Sequence, residues 1–236
     1  ATKGKATSSD GDIEIDAKNF EYNKELATLK AEGDGLAFIN SENIKIEFDN
    51  ALIDENKLTF NANGNIKIIE LEKNFIIETE SVIYDKGNRF IKSSTKTMMK
   101  DNQNNIYSAD NFFYEINKNL LKLENVNFND FKNNKFYTSL AYINTETNKL
   151  HGKDISADLN NTEFNKDNEP RLKGNSVSSD NLTTEITKGV FTTCKKRKDK
   201  CPPWQLSAEK IQHDKKKQVI NYKNAWLNVY DVPVMY

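Results

Sequence analysis

The chain has 236 residues, of which 36% are apolar and 10% aromatic, and its 34 Lys and Arg residues nearly balance 35 Asp and Glu residues. This balance excludes an electrostatic bias of the whole chain toward nucleic acid or an anionic membrane. The low apolar content favours sheets with one solvated face over the long apolar strands of a layered α/β fold. We therefore expect an open antiparallel β structure with no nucleic-acid partner.

In chain order, residues 1–12 are small, polar and glycine-containing, which predicts a flexible N-terminus. From Ile13 to about Phe164, apolar residues recur at every second position, the period of strands buried on one face. No stretch holds a convincing helical period, so no substantial helix is expected. The alternation is clearest at residues 12–16, 43–48, 65–69 and 120–128.

A unit of strand, turn and strand also recurs. Each copy has a small residue, then an apolar or aromatic residue, a polar turn and a further apolar residue. The copies begin at Ala17, Ala51, Ser81, Ala109, Ala141 and Ser207. The first five are spaced by roughly 30 residues, which fits one hairpin per repeat and predicts a stack of β rungs. The polar stretch at 160–181 predicts a long loop or insertion between rungs.

Candidate residues for catalysis or metal binding are few. His151 and His213 fall in different repeats, and neither belongs to a metal-binding pattern. The sequence has no nucleophile elbow, phosphate-binding glycine loop or calcium loop. We therefore expect no enzyme activity, no metal site and no cofactor.

Cys194 and Cys201 are the only cysteines. A zinc site would need a shorter spacing and two further Cys or His ligands, and a redox site usually has two residues between the cysteines. A structural disulfide in an oxidising compartment is therefore the leading interpretation, either between these two cysteines or with partners on another segment.

The loop between the cysteines is basic. It holds four candidate phosphate contacts, Lys195, Lys196, Arg197 and Lys198. A solvated loop, with Asp199 reducing the charge, is the alternative. The aromatic residues lie outside the cluster, which argues against single-stranded nucleic acid. An anionic lipid or the acidic face of a partner stays open as the ligand.

The last 45 or so residues carry a further pattern. It consists of Thr-Thr-Cys at 192–194, Trp-x-Leu at 204–206 and Asn-Ala-x-Leu-x-Val-x-Asp-Val-Pro-Val-x-Tyr at 224–236. This pattern resembles the segment that joins the periplasmic domain of the LptD family, the lipopolysaccharide-assembly or organic solvent tolerance proteins, to its outer-membrane barrel. The repeats beginning at Ala17, Ala51 and Ala109 resemble the weaker motif of the periplasmic lipopolysaccharide-bridge proteins in the same OstA-like superfamily.

The resemblance implies an all-β fold, a β-jellyroll of stacked antiparallel hairpin rungs that is V-shaped and open along one side. It divides the chain into a flexible start at 1–12, the jellyroll at 13–191, and a last rung with the cysteines at 192–236 that begins the connection to a barrel. Its inner face would bind acyl chains, although an ordinary core is the alternative for each residue. The expected lining residues are Ile13, Ile15, Phe38, Ile46, Phe48, Phe60, Ile68, Ile77, Ile83, Phe112, Leu121, Phe136 and Ile143.

The function implied is periplasmic binding and transfer of lipopolysaccharide, associated with the outer membrane in full-length family members. The partners implied are a bridge protein that pairs through edge strands, and the outer-membrane barrel with its lipoprotein plug. The alternatives are a free-standing bridge protein and a structural β-solenoid surface module without lipid. Because the family's cysteines pair with cysteines of the barrel segment, a bridge between Cys194 and Cys201 is a hypothesis for this chain alone.

Overall fold

Antiparallel strands make up nearly all of the regular structure. The computed structural model describes residues 2–71, 75–101, 105–130, 133–160, 168–197 and 202–236. Single 3-10 turns lie at Asn40–Glu42 and Ile116–Lys118, and within the described ranges no helix has the length and apolar character to cross a membrane. The predicted all-β jellyroll of stacked antiparallel rungs is confirmed. The strands are β1 (Thr2–Thr7), β2 (Ile13–Asn23), β3 (Thr28–Ile39), β4 (Ile44–Asp54), β5 (Thr59–Glu70), β6 (Phe75–Asp85), β7 (Phe90–Ser93), β8 (Thr97–Lys100), β9 (Ile106–Ala109), β10 (Asn111–Glu115), β11 (Leu120–Asn129), β12 (Lys135–Asn144), β13 (Lys149–Asp158), β14 (Arg171–Ser179), β15 (Thr183–Thr192), β16 (Trp204–Asp214), β17 (Val219–Val229) and β18 (Val232–Met235).

The chain divides into two compact units, unit 1 (Ala1–Asn119) and unit 2 (Leu120–Tyr236). In unit 1, strands β1 to β6 pair in chain order. The first half of β6 then pairs with β8 and the second half with β7, and these continue to β9 and β10 respectively. In unit 2, β11 to β18 pair in chain order as one meander.

Two segments that the sequence predicts to be irregular contain strands. Thr2–Thr7 form β1 and pair with β2, within the span 1–12 expected to be flexible. Arg171–Ser179 form β14, within the polar stretch 160–181 expected to be a loop. Main-chain pairing with β13 and β15 holds this strand, so it needs few apolar side chains of its own.

Five of the described hairpin turns share one design. An Asp or Asn ends the first strand, and its side-chain oxygen accepts a hydrogen bond from the main-chain N–H three residues later. Lys57 N donates to Asp54 Oδ1 over 3.0 Å, and Lys217 N donates to Asp214 Oδ1 over 2.9 Å. The turns that follow Asn23, Asp85 and Asn144 contain the same bond. The repeat visible in the sequence is therefore this hairpin.

Most long strands also bend near the middle. In β11, β13, β15 and β17, one non-glycine residue with a positive φ lies at the bend. Where both halves of a strand are buried, buried positions alternate on each side of the bend but are three residues apart across it. In β4 Phe48 is followed by Ala51, and in β11 Leu123 is followed by Val126. Each strand thus contributes to two half-sheets. The bend residues of these four strands are Asn125, Asp154, Lys188 and Asn224.

The half-sheets are named by the strand segments on each side of the bends. Half-sheet 1A of unit 1 contains 13–16, 35–39, 44–48, 66–70, 75–79, 97–100 and 106–109, and half-sheet 1B contains 19–23, 28–32, 50–54, 59–63, 81–85, 90–93 and 111–115. Half-sheet 2A of unit 2 contains 120–124, 140–144, 149–153, 176–179, 183–187, 210–214 and 219–223, and half-sheet 2B contains 126–129, 135–138, 155–158, 171–174, 189–192, 204–208, 225–229 and 232–235.

Candidate functional site

The interior of unit 1 is packed. Phe48 of half-sheet 1A and Phe60 of half-sheet 1B meet edge to face with ring centroids 5.6 Å apart. Ile46 and Phe60 have no exposed surface, and Tyr84 is 1% exposed. The two half-sheets therefore press their apolar faces together as the layers of a sandwich do.

Ion pairs join the two half-sheets of unit 1 where their turns meet. Lys86, in the turn after β6, pairs with Asp10 and Asp12, which precede β2. Its Nζ lies 2.8 Å from Asp12 Oδ2. Arg89 Nη2, in the same turn, lies 2.8 Å from Glu42 Oε1 in the turn between β3 and β4. We call these five residues the clasp.

Within the clasp, Lys86, Asp10 and Asp12 hold one another in the charged state. The hydrogen bond from Lys86, followed by that from Ser8, keeps the pKa of Asp10 far below its usual value. Burial raises the pKa of Asp12, but hydrogen bonds from Lys86 and Ser41 outweigh it and the pKa is lowered. Burial lowers the pKa of Lys86, but its bonds to both carboxylates outweigh this and the pKa is raised.

A cavity of about 70 Å³ lies beside the clasp. Residues of both half-sheets line it, so it lies where the turn ends of the two half-sheets meet. We call this boundary the seam. Its walls are largely apolar and its rim is charged. The apolar lining includes Ile13, Ile15, Leu29, Ile53 and Leu58, and the charged lining includes Asp10, Asp54, Glu55 and Lys86.

Unit 2 carries a row of apolar side chains that crosses all eight of its strands. Each residue lies directly opposite the next in the strand register, so all of them share one face of half-sheet 2B. We call this row the apolar ladder. It consists of Phe128, Phe136, Ala157, Leu172, Phe191, Leu206, Leu227 and Met235.

The apolar ladder is covered only in part. Ala157 is 5% exposed, whereas Met235, at the far end, is 65% exposed. Between them, Leu172, Phe191, Leu206 and Leu227 are all half-buried. Apart from buried Ala157, the row offers partly exposed apolar side chains to a ligand, in contrast to the packed interior of unit 1.

A second row runs across half-sheet 2A. Only its last member, in β17, is exposed: Ile211 is 5% exposed, whereas its neighbour Tyr222 is 40% exposed. Burial nevertheless raises the pKa of the Tyr222 phenol, so this ring lies partly out of water. The row consists of Leu123, Ala141, Gly152, Val177, Ile186, Ile211 and Tyr222.

Most of the residues predicted to line the interior do face it. In unit 1, Ile77 lies opposite buried Ile68 and Met99, and in unit 2, Ile143 lies opposite buried Leu121. Whether any of them binds lipid stays a prediction. The predicted residues on the inner faces are Ile13, Ile15, Ile46, Phe48, Phe60, Ile68, Ile77, Phe112, Leu121, Phe136 and Ile143.

Phe38 and Ile83 lie on the other face, contrary to the prediction. Phe38 is 36% exposed and lies opposite Glu14 and Lys45. Ile83 is flanked in its strand by buried Val82 and Tyr84, which face inward in its place. Both residues belong to short continuous apolar runs, in which alternation does not tell which face is buried.

The sequence interpretation also missed many interior residues. Several are alanines, such as Ala31 and Ala37, which are fully buried. Others lie beyond a bend, where the alternation changes phase. A search for apolar positions spaced by two, then three, then two would have found the interior of β4, from Ile44 to Ile53.

Cys194 has a free thiol in the structure, and its Sγ lies 3.8 Å from the Trp204 carbonyl oxygen. Cys201 lies outside the described residues. The disulfide therefore stays a prediction. The segment that carries the cysteines links two adjacent strands, because β15 and β16 pair directly.

The basic loop is partly neutralised in its described part. Lys196 Nζ lies 2.8 Å from Asp158 Oδ2, and the Lys196 main-chain N–H donates to Glu169 Oε2. Lys195 and Arg197 are exposed, and Lys198 lies outside the described residues. Phosphate contacts by these four residues stay a prediction.

The described part of the chain holds no group of three or more His, Cys, Asp or Glu side chains that could bind a metal ion. His151 is exposed, and His213 is half-buried opposite Thr184. The geometry therefore supplies no metal centre within those ranges.

No family model and no curated protein matches this chain. Among solved structures, the structure of this chain is similar to that of LptH from Pseudomonas aeruginosa. LptH is described as the LptA-homologous periplasmic component of the conserved lipopolysaccharide transport device. The two are 11% identical, the match covers 44% of this chain and 75% of LptH, and the TM-score is 0.39.

Proposed function

We propose that this chain is a periplasmic carrier that binds lipopolysaccharide through its acyl chains and transfers it without chemical change. The observation that carries the proposal is the apolar ladder, a row of eight facing side chains that stays partly exposed along half-sheet 2B. The resemblance of residues 192–236 to the LptD family supports the same ligand.

The dimensions of the apolar ladder suit acyl chains. Eight strands, spaced by about 4.8 Å, extend over roughly 34 Å. This exceeds one leaflet of a bilayer, whose complete hydrocarbon core measures about 30 Å. Each methylene that the ladder removes from water would contribute about 0.8 kcal/mol, while the polar head group stays in solvent. Transfer between carriers then requires only an exchange of apolar contacts.

Within this role, we assign the chain to the receiving side of the outer membrane. It would accept lipopolysaccharide from a bridge protein through edge-strand pairing and pass it to an outer-membrane barrel and its lipoprotein plug. The pattern from Asn224 to Tyr236 supports this position over that of a free-standing bridge protein. It covers the second half of β17 and all of β18, the last strands of the meander, whose apolar side chains include exposed Val232, Val234 and Met235.

Photocrosslinking tests lipid binding directly. A benzophenone amino acid would replace Leu206, which belongs to the apolar ladder, and in a matched variant Ser207, which lies opposite Trp226 on the other face. Delipidated protein would be titrated with purified lipid A and irradiated. We expect saturable labelling at 206 that unlabelled lipopolysaccharide displaces, and only background labelling at 207.

A structural β-solenoid without lipid is the second candidate, and the packed interior of unit 1 is the observation in its favour. It predicts equal background labelling at 206 and 207 at every lipid concentration. Lipid crosslinking at 206 alone excludes this candidate, because a sealed module without a lipid site would crosslink equally weakly on both faces.

A further inference from the structure

The two half-sheets of unit 1 are held together differently on their two sides. On one side the strands themselves pass from half-sheet 1A to half-sheet 1B through the bends, so the main chain closes the interior. On the other side the turns of the two half-sheets meet. There the clasp joins them through side chains, with Lys86 reaching Asp10 and Asp12, and Arg89 reaching Glu42.

This difference makes the turn side the one that can open. Parting the clasp breaks ion pairs, whereas parting the bends would require the strands to break their ladder hydrogen bonds. The clasp is also incompletely satisfied. Among the described residues, Arg89 Nε is buried without a hydrogen-bond partner. A buried donor left unpaired disfavours the closed state.

The surface behind the clasp is apolar. The cavity at the seam is lined by Ile13, Leu29 and Ile53. Tyr84 lies buried beneath the clasp. Burial raises the pKa of its phenol, and the nearby charges of Glu42 and Asp12 raise it further. A cavity of about 70 Å³ accepts no more than the end of an acyl chain. Deeper entry would require the half-sheets to separate.

We propose that the clasp is a gate, and that unit 1 is a second acyl-binding compartment which a lipid enters when Lys86 and Arg89 release the carboxylates of Asp10, Asp12 and Glu42. This inference rests on the proposed function. Lipid phosphate groups, which are anions, compete with those carboxylates for the two cations, so an arriving lipid head group would itself favour opening.

The test compares entry into the two units within one protein. A benzophenone amino acid at Leu29 reports unit 1, since Leu29 lines the cavity and is only half-buried, and one at Leu206 reports unit 2. The probe is purified lipid A. Lys86→Met opens the clasp. Lys57→Met is the matched control, because Lys57 pairs with Asp54 within one turn, 2.7 Å from Nζ to Oδ2, and does not cross the seam.

We expect Lys86→Met to raise the initial rate of labelling at 29 at least threefold over the wild type, and Lys57→Met to leave it unchanged. Arg89→Gln, which cuts the other half of the clasp, is the second opening variant and replaces Lys86→Met if circular dichroism shows that the latter is unfolded. Labelling at 206 should be the same in all variants.

A locked protein supplies the opposite change. With both native cysteines replaced by serine, cysteines at positions 10 and 86 would be joined by a short bismaleimide, and the same protein treated with a monofunctional maleimide is the control. Locking should reduce labelling at 29 to background and leave 206 unaffected. Equal labelling at 29 in locked and control protein, or in Lys86→Met and wild type, overturns the gate. Absence of labelling at 206 in every variant is a different result, because it overturns the proposed function instead.

Discussion

Gly35 lies directly opposite Phe48 in the strand register, and the Phe48 ring occupies the space of a side chain at position 35. A Cβ atom on Gly35 would lie 2.1 Å from Phe48 Cε2, far inside van der Waals contact. Phe48 cannot move away freely, because its ring packs against Phe60 in the other half-sheet. The packing of the Phe48 ring in the interior of unit 1 therefore requires a residue without a side chain at position 35.

Gly35→Ala should destabilise unit 1 by about 1–3 kcal/mol, the usual effect of overpacking an interior. Urea denaturation followed by far-ultraviolet circular dichroism measures the change. Gly87→Ala is the control, since its Cβ would meet its nearest neighbour at an ordinary 3.6 Å. If both variants unfold at the same urea concentration, Phe48 is more mobile than its packing implies.

Phe60→Ala and Phe38→Ala should differ strongly although both remove a phenylalanine ring. Phe60 is fully buried, so its loss should lower the free energy of unfolding by about 3–5 kcal/mol. Phe38 lies on the outer face and is 36% exposed, so its loss should lower it by less than about 1 kcal/mol. Thermal melts of the two proteins measure this, and similar melting temperatures would contradict the assignment of faces.

Acid should weaken the clasp. The folded-state pKa values of Asp10 and Asp12 are lowered, so their contribution to stability is present above the ordinary carboxyl pKa of about 4 and is lost as the pH falls through the folded values. Lys86 has a raised pKa, so its contribution is present at neutral pH and is lost only as the pH rises through its folded pKa, above the ordinary 10.5.

The measurement compares denaturation at pH 7 and about pH 3 in the wild type and in Lys86→Met. The wild type should lose more stability on acidification than Lys86→Met, whose carboxylates no longer have this cation. Lys24→Met, which removes an exposed lysine from the turn after β2, is the control and should follow the wild type. Glu42 and Arg89, the other members of the clasp, and Tyr84 beneath it are common to all three proteins. Parallel losses in all of them would show that Lys86 does not link the clasp to pH.

A charge within the apolar ladder should reduce lipid binding. Leu206→Glu places a carboxylate between Phe191 and Leu227, where an acyl chain would lie. We expect at least a tenfold loss of affinity for lipid A, which corresponds to about 1.4 kcal/mol. Gln205→Glu, the same charge on the adjacent residue, should bind as the wild type does. Fluorescence displacement measures both affinities, and equal losses would point to a nonspecific effect of charge.

Alkylation followed by mass measurement tests the disulfide. If Cys194 and Cys201 are bridged in protein prepared from an oxidising compartment, iodoacetamide should add no label before reduction and two labels after it. The bridge would close a loop of about eight residues and contribute on the order of 2.5 kcal/mol. Two labels without reduction would mean that Cys194 keeps the free thiol seen in the structure.

The class of fold and its repeating element follow from the amino-acid sequence alone. The alternation of apolar and polar residues from Ile13 onward predicts strands that are buried on one face. The Asp and Asn side chains at the turns accept hydrogen bonds from nearby main-chain N–H groups, as Asp54 does from Lys57. These interactions join residues that are close in the chain, so they can be predicted from the sequence without knowledge of the tertiary structure. The same locality explains why the thirteen predicted lining residues include eleven on the inner faces.

The remaining features depend on contacts between segments that are far apart in the chain. Whether Phe38 and Ile83 face inward depends on which alternate set of side chains the neighbouring strands cover. The strand β14 forms because it pairs with β13 and β15. The clasp joins Asp12 to Lys86 across several strands, and the apolar ladder joins residues from Phe128 to Met235 through the register. Such contacts arise from the bends and from pairing between distant segments, and pairing register is a property of the assembled sheet that no short stretch of sequence contains.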